Sequence, residues 1–267
     1  MPAFAALSRE RHAHQGWKRH TSYTFTAKEA VVPLVGAELP KVLPSMPIAF
    51  IQEQTHYQLV GVLSLQPGSN LLVSASGQWL GPYIPVAWRT YPFRVLRPQG
   101  SEQSVLCVDE DSGLIIDAAN ADERFFNDQG DPGVAIRDIL NFLTQVEANR
   151  VATQRGVDAL ARVGIIEQWP LQVDQAGQML SVTGLYRINE VALNALDDQV
   201  FLELRQHQSL PVAYAQLLSM NQLTVLERLS QMQARRAEQI QAQQQANSLG
   251  DLDSFGLTQE DGILRFD

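Results

Sequence analysis

The sequence predicts an α+β fold, with a mostly antiparallel sheet drawn from the N-terminal half and C-terminal helices packed on it. Three observations carry this. Residues 31–108 hold short apolar segments in which β-branched and aromatic residues alternate, broken by Pro, Gly and Asn. From about residue 131 the apolar period lengthens to about 3.6. A chain of 267 residues that is 45% hydrophobic can bury an ordinary core. No flexible linker separates the two halves, so the expectation is one domain over residues 1–249 with a basic N-terminal arm. A flexible acidic tail, 250–267, follows it.

The predicted strands are 48–51, 57–65, 71–75, 93–96 and 105–108. Pro67-Gly68-Ser69-Asn70 has the composition of a turn, which makes 57–75 a hairpin. In residues 79–93 prolines interrupt a Trp- and Tyr-rich stretch, and proline withholds a ladder hydrogen bond. The expectation there is an ordered loop packed by its own aromatics. Asp131 and Pro132 read as a helix start. Ile136, Ile139, Leu140, Leu143 and Val146, then Val157, Leu160 and Val163, give one long helix or two short ones meeting near Gly156. A second hairpin follows over 171–186, either adding to the first sheet or building its own. Asn189 is placed to cap a short helix, 190–196, and 200–205 is helical. The longest helical stretch, 210–245, loses its apolar face after Met232. In the tail, Phe255 with Leu257 and Ile263-Leu264 with Phe266 are apolar spots, readable as a docking strand or a mobile terminus.

Charge and apolar run length exclude whole classes of function. No run approaches the roughly 20 apolar residues needed to cross a bilayer as a helix, so membrane insertion is not expected. The start lacks the basic and apolar regions of a secretory signal, which predicts a cytoplasmic protein. A net charge of −9 argues against nucleic acid. The charge is uneven: residues 1–28 hold Arg9, Arg11, Lys18, Arg19 and Lys28 against Glu10, a net +4, which leaves −13 on the remainder. Such an arm either guides an acidic partner or folds back onto the body.

Three stretches resemble the bacterial SapC family. They are Tyr23-Thr24-Phe25-Thr26-Ala27-Lys28 running into Val31-Val32-Pro33-Leu34; Trp79-Leu80-Gly81-Pro82-Tyr83-Ile84-Pro85 with Arg89-Thr90-Tyr91-Pro92-Phe93; and Thr183-Gly184-Leu185-Tyr186-Arg187-Ile188-Asn189-Glu190. Cys107-Val108-Asp109-Glu110-Asp111-Ser112 and Ala213-Tyr214-Ala215-Gln216-Leu217-Leu218-Ser219-Met220 are similar to further family segments. The resemblance runs from roughly residue 8 to 225. It implies a soluble accessory protein connected with a bacterial surface layer and its export. It also implies an auxiliary to halogenase-like or oxygenase-like enzymes encoded nearby.

The residues themselves show no catalytic motif: there is no Gly-x-Ser-x-Gly, no phosphate-binding loop and no dinucleotide fingerprint. Cys107, the only cysteine, sits in a strand pattern and reads as a small buried hydrophobe. His12, His14 and His20 have the spacing for a metal but no neighbouring carboxylate, and no metal or other cofactor is expected. Asp109 and Asp111 at a strand end read as a solvated acidic turn, with a hard-cation site or a contact for a basic peptide as alternatives. Aromatic and arginine side chains dominate recognition surfaces. The candidate binding residues are therefore Trp79, Tyr83, Trp88, Arg89, Tyr91, Asp109, Asp111, Tyr186, Arg187 and Glu190. The bland alternative for the last three is a core Tyr186 and an Arg187–Glu190 pair. The functional expectation is a non-enzymatic accessory protein that binds a protein or peptide. The alternative is a peptide- or protein-modifying enzyme, oxygenase- or halogenase-associated, whose site is assembled from scattered residues. Self-association through 210–245 or the tail is a third expectation.

Overall fold

The computed structural model describes residues 4–97, 104–175 and 178–254, and it has the expected α+β architecture. The chain divides into two compact units, Met1–Leu223 and Thr224–Asp267.

The first unit is organised by a five-stranded antiparallel sheet whose spatial order is Ile166–Gln168, Tyr186–Ile188, Ile48–Glu53, His56–Val62, Val31–Pro33. Its central pair is buried on both faces, with Ile48, Phe50 and Leu59 on one and Val60 and Val62 on the other, each at most 2% exposed. At roughly 1.5–3 kcal/mol for each large apolar side chain taken from water, these residues explain why the central pair of strands is the best-formed element. A second antiparallel sheet has the order Phe4–Ala6, Val105–Asp109, Phe93–Leu96. A third, smaller one places Gln15–Trp17 between Ile115–Asp117 and Glu123–Arg124. The strand Gln15–Trp17 passes so close to its neighbour that a Cβ on Gly16 would collide with Glu123 O.

The helix Val134–Arg162 ties the two larger sheets together, packing on His56–Val62, on Phe93–Leu96 and on the later helix Ser209–Ser219. It is one continuous helix. Gly156 lies inside it beside the backbone of His207 and Gln208, whose carbonyl oxygens are 3.4 and 3.6 Å from where a Cβ would stand. The helix begins at Val134 rather than at Asp131. Asp131 is held in a local turn, with Asn127 N–H donating to its carbonyl and its own N–H returning to Asn127 Oδ1, both at 2.9 Å.

The hairpin expected over 57–75 does not form. His56–Val62 finds its partners in Ile48–Glu53, across a turn at Gln54 (φ 55°), and in Val31–Pro33. Asn70 is buried, donating to Thr26 O at 3.1 Å and accepting from Leu72 N–H at 2.9 Å. It pins Leu71, Leu72 and Val73 into the core as a loop. The second hairpin does form, Leu171–Gln175 with Gln178–Val182, and Tyr186–Ile188 leaves it to join the large sheet at Phe50.

Asn189 caps Glu190–Asn194 by accepting from Ala192 N–H at 2.9 Å. The helices Asp198–Gln206 and Ser209–Ser219 follow. The single helix expected over 210–245 is interrupted by a 3₁₀ turn, Met220–Gln222. Immediately before the break, Ser219 Oγ donates to Gln216 O at 2.7 Å and accepts from Ile48 N–H at 2.9 Å. Gln216, fully buried, donates to Ile48 O at 3.2 Å and accepts from Ile188 N–H at 2.9 Å. These two side chains satisfy the backbone where Tyr186–Ile188 diverges from Ile48–Glu53, which is why polar residues occupy the buried face of this helix.

The helix Leu223–Ser254 supplies the described part of the second unit. At 1.5 Å per residue its 32 residues extend about 48 Å. Met232 and Ile240 are exposed on it, 58% and 47%. It continues past the expected tail boundary at residue 250, and the apolar spots at 255–266 lie outside the described residues. No helix among the described residues is long and apolar enough to cross a membrane.

The basic arm folds back onto the body. Phe4–Ala6 and Gln15–Trp17 are both paired strands. Arg11 reaches Glu110 at 2.7 Å, and Arg19 reaches Glu123 at 3.0 Å.

Candidate functional site

An edge strand of each of the two larger sheets lines one groove: Val31–Pro33 ends the five-stranded sheet, and Phe93–Leu96 ends the three-stranded one. The chain that connects them is the proline- and tryptophan-rich segment. Trp79 Nε1–H donates to Tyr83 O at 2.9 Å, and the Trp79 and Trp88 rings meet edge to face at 5.5 Å. Arg89 Nε–H donates to Ile84 O at 2.9 Å while its guanidinium lies over the Tyr83 ring, 4.6 Å from the centroid. The segment is therefore packed by its own aromatics as expected, with a short helix, Val86–Arg89, inside it.

One carboxylate anchors this segment. Glu38 is 2% exposed. It accepts from Val35 N–H at 3.1 Å, from Tyr83 OH at 3.3 Å and from Val86 N–H at 3.2 Å. Burial pushes its pKa up, against the opposing pull of these donors and of Arg89. Burial, followed by the charge of Glu38, pushes Tyr83 up to about 12. Both groups are thus held in place by hydrogen bonds, and Tyr83 stays a phenol near neutrality.

Between the two strand edges lies an open groove of about 600 Å³. Phe25 and Tyr91 stack at 3.9 Å on one wall, with Val31 and Pro33 on the other. His20 supports Tyr91 from behind, donating through Nδ1 to Tyr91 O at 3.1 Å and meeting the Tyr91 ring edge-on. Burial lowers the His20 pKa, so the ring is neutral. Carboxylates gather at one end: Asp109, 3% exposed, with exposed Asp111 and Glu29. Tyr91 OH donates to Asp109 Oδ2 at 3.3 Å, and Asp111 N–H donates to Asp109 Oδ1 at 3.3 Å. Burial, then the Asp109 charge and hydrogen bond, push Tyr91 up to about 12. Arg94 is the basic side chain lining the groove, and its guanidinium lies 4.8 Å from the Phe4 ring centroid. Past Pro33, Ala87 and Phe93 the groove continues into a hollow of about 260 Å³ against Leu143 and Val146.

Of the candidate residues, Trp88, Tyr91, Asp109 and Asp111 line this groove, and Trp79, Tyr83 and Arg89 form the scaffold behind it. Arg89 also lines a second hollow, of about 430 Å³, on the far side of Tyr91. Tyr186, Arg187 and Glu190 do not join them. Tyr186–Ile188 lies next to the other edge of the five-stranded sheet, three strands from Val31–Pro33. Arg187 pairs with Glu167 at 2.8 Å, not with Glu190, because the sheet register sets Glu167 directly opposite. Asn189 completes that group by donating to the same carboxylate at 2.7 Å. Tyr186 OH donates to Gln52 Oε1 at 3.1 Å from a half-buried position.

The histidines do not converge either. His12 is fully buried against Phe125 with Nε2–H donating to Glu110, His20 sits behind Tyr91, and no metal-binding cluster occurs among the described residues. Cys107 is buried, and burial raises its pKa, the reverse of what activates a thiol. Sequence reasoning missed Phe4, Phe25, Glu29, Glu38 and Arg94. For Glu38 a signal existed: it is the only carboxylate in the otherwise apolar and proline-rich stretch 30–51.

The SapC family model matches residues 7–226. No curated protein and no solved structure matches the chain. The matched span takes in the whole five-stranded sheet, the anchoring carboxylate Glu38 and every groove residue except Phe4; the chain belongs to the SapC family.

Proposed function

We propose that this chain is a non-enzymatic accessory protein that binds a protein or peptide partner in the groove between its two larger sheets. The carrying observation is that the wall is pre-organised. Trp88, Tyr91 and Phe25 are fixed by stacking and by hydrogen bonds that end inside the protein, so a ligand meets rigid aromatic surface at little ordering cost. The groove is open, unlike the enclosed pockets typical of small-molecule sites. Its titratable groups also favour binding over chemistry: both Asp109 oxygens accept hydrogen bonds, and Tyr91 stays a phenol at neutral pH. The cell role that accords with this reading is cytoplasmic, beside a protein-modifying enzyme or in the export of a surface protein.

The test is selection of a random peptide library on the full chain, followed by affinity measurement on Ala87→Arg. Ala87 lines the groove and the hollow beyond it, so an arginine there obstructs the groove while removing no hydrogen bond the fold uses. Enriched peptides that bind wild type and lose at least about tenfold, or about 1.4 kcal/mol, on Ala87→Arg support the reading. Failure to enrich any peptide, or equal binding by the variant, defeats it.

A further inference from the structure

We infer that the partner enters as an extended, basic segment that adds a strand to the open edge of Phe93–Leu96. This rests on the groove being the binding site and specifies how the groove is used. An antiparallel strand alternates between residues bonded to its neighbour and residues whose backbone groups face away. Asp109 N–H donates to Pro92 O at 2.9 Å, and the register sets Arg94 opposite Cys107 and Leu96 opposite Val105. Arg94 and Leu96 therefore bond inward, and Phe93 C=O, Val95 N–H and Val95 C=O face the open edge. Phe93 N–H is already used by Thr90 O at 2.7 Å.

Across the groove the same counting leaves Val31 N–H, Val31 C=O and Pro33 C=O outward, because Leu63 N–H bonds Ala30 O and Leu34 N–H bonds Leu59 O. Proline removes a donor on that side, a usual protection of an edge against pairing. The strand Phe93–Leu96 lacks that protection and is the edge that accepts an added strand.

Charge selects the occupant. Phe93 pairs with Val108, so an added strand that passes Phe93 arrives at Asp109, Asp111 and Glu29. None of these three is in an ion pair with a described residue. A lysine or arginine at that end of the partner segment meets the exposed Asp111 and Glu29, with buried Asp109 adding to the local negative charge. The chain's own C-terminal stretch, 250–267, has five carboxylates against Arg265 and is mismatched. The basic arm of a second copy is already paired in its own sheets.

The experiment uses the full chain and three capped peptides of about seven residues, a usual strand length. One alternates lysine and valine, one replaces lysine with glutamate, and one is the lysine peptide with alternate backbone nitrogens methylated. Expected results are binding of the lysine peptide with about tenfold slower amide exchange at Val95, and at least about tenfold weaker binding of the other two. Val95→Pro deletes the outward N–H, leaves the inward ladder intact and trims a side chain packed beside Phe93, so it stays folded with a lowered Tm and loses the lysine peptide. Equal binding of the methylated peptide or by Val95→Pro, or exchange protection at Val31 in place of Val95, overturns strand addition, and tighter binding of the glutamate peptide overturns the basic occupant. If Ala87→Arg still abolishes binding in those cases, the groove survives as the site. If neither library-selected nor lysine peptides bind, both readings fall.

Discussion

Replacing Glu38 with alanine tests whether one buried carboxylate holds the groove wall. The side chain satisfies three donors at 3.1–3.3 Å: Val35 N–H, Tyr83 OH and Val86 N–H. Leaving a buried donor unpaired costs about 1–3 kcal/mol. Val35 and Tyr83 are buried, while Val86 is half-buried and water can replace its partner, so two full penalties apply, about 2–6 kcal/mol. Against this, burial has pushed the Glu38 pKa up, which means the carboxylate is held at some electrostatic cost that alanine removes. The net expectation is about 3 kcal/mol. For a unit of this size that lowers the Tm by about 6–12 °C, with loss of near-ultraviolet circular dichroism from the Trp79, Tyr83 and Trp88 cluster. Glu38→Gln supplies the pH control. The folded pKa lies above the unfolded value of about 4.5, so the native state binds the extra proton. The stability Glu38 contributes is full below that value and is lost as pH rises through the folded pKa. Glutamine does not titrate, so the gap between wild type and Glu38→Gln is widest near pH 4 and narrows toward pH 7. A Glu38→Ala protein that melts within about 2 °C of wild type, or a gap that widens with pH, would refute the anchoring role.

Other perturbations separate groove from scaffold. Tyr91, held near 12, and an unfolded phenol near 10 bracket an alkaline window in which the unfolded state deprotonates first and stability falls. Asp109→Asn moves the Tyr91 transition downward without returning it to 10, because burial is the larger cause, and ultraviolet titration reads this directly. Gly156→Ala places its methyl at ordinary contact distance in a helix interior, so urea unfolding should show no loss and up to about 1 kcal/mol of gain. Gly16→Ala drives a methyl into Glu123 O and should lose about 1–3 kcal/mol or more. Arg187→Ala removes a half-exposed pair with Glu167, so it should cost about 1 kcal/mol or less and leave groove affinity unchanged.

The parts of this fold that sequence reading reaches are those in which neighbours in sequence are also partners in space. The helix Val134–Arg162, the Asn189 cap and the hairpin Leu171–Val182 are of that kind, since periodicity, a side-chain oxygen and a short turn encode them locally. The expected 57–75 hairpin fails because Asn70 looks like a turn residue by composition while its side chain serves Thr26, 44 positions away. Along the chain Glu190 stands one helical turn from Arg187 and invites a pairing. The sheet register instead presents Glu167, 20 positions back, and register is set by long-range pairing that no window contains. The candidate site divides along the same line. The aromatic segment carries its own signal, whereas Phe4, Phe25 and Arg94 become groove residues only when distant strands converge.

The placement of charge follows from that convergence. The basic arm is bound within its own protein: Arg11 and His12 meet Glu110, Arg19 meets Glu123, and Arg19 N–H donates to Asp122. The arm neutralises the turn that follows Val105–Asp109 from the side facing Phe125, and it leaves Asp109 and Asp111 to the side facing the groove. Glu110, between them in sequence, is turned to the arm. A run of three acids is thus divided, one residue turned to the arm and two to the groove, and Arg11 and Arg19 are not free for an acidic partner while they hold Glu110 and Glu123. Lowering salt should therefore strengthen binding of the lysine peptide, since the groove carboxylates are the uncompensated ones. Arg11→Ala should change the melting temperature far more than it changes that affinity. Loss of peptide binding in Arg11→Ala at an unchanged Tm would place the arm, not the groove, at the contact.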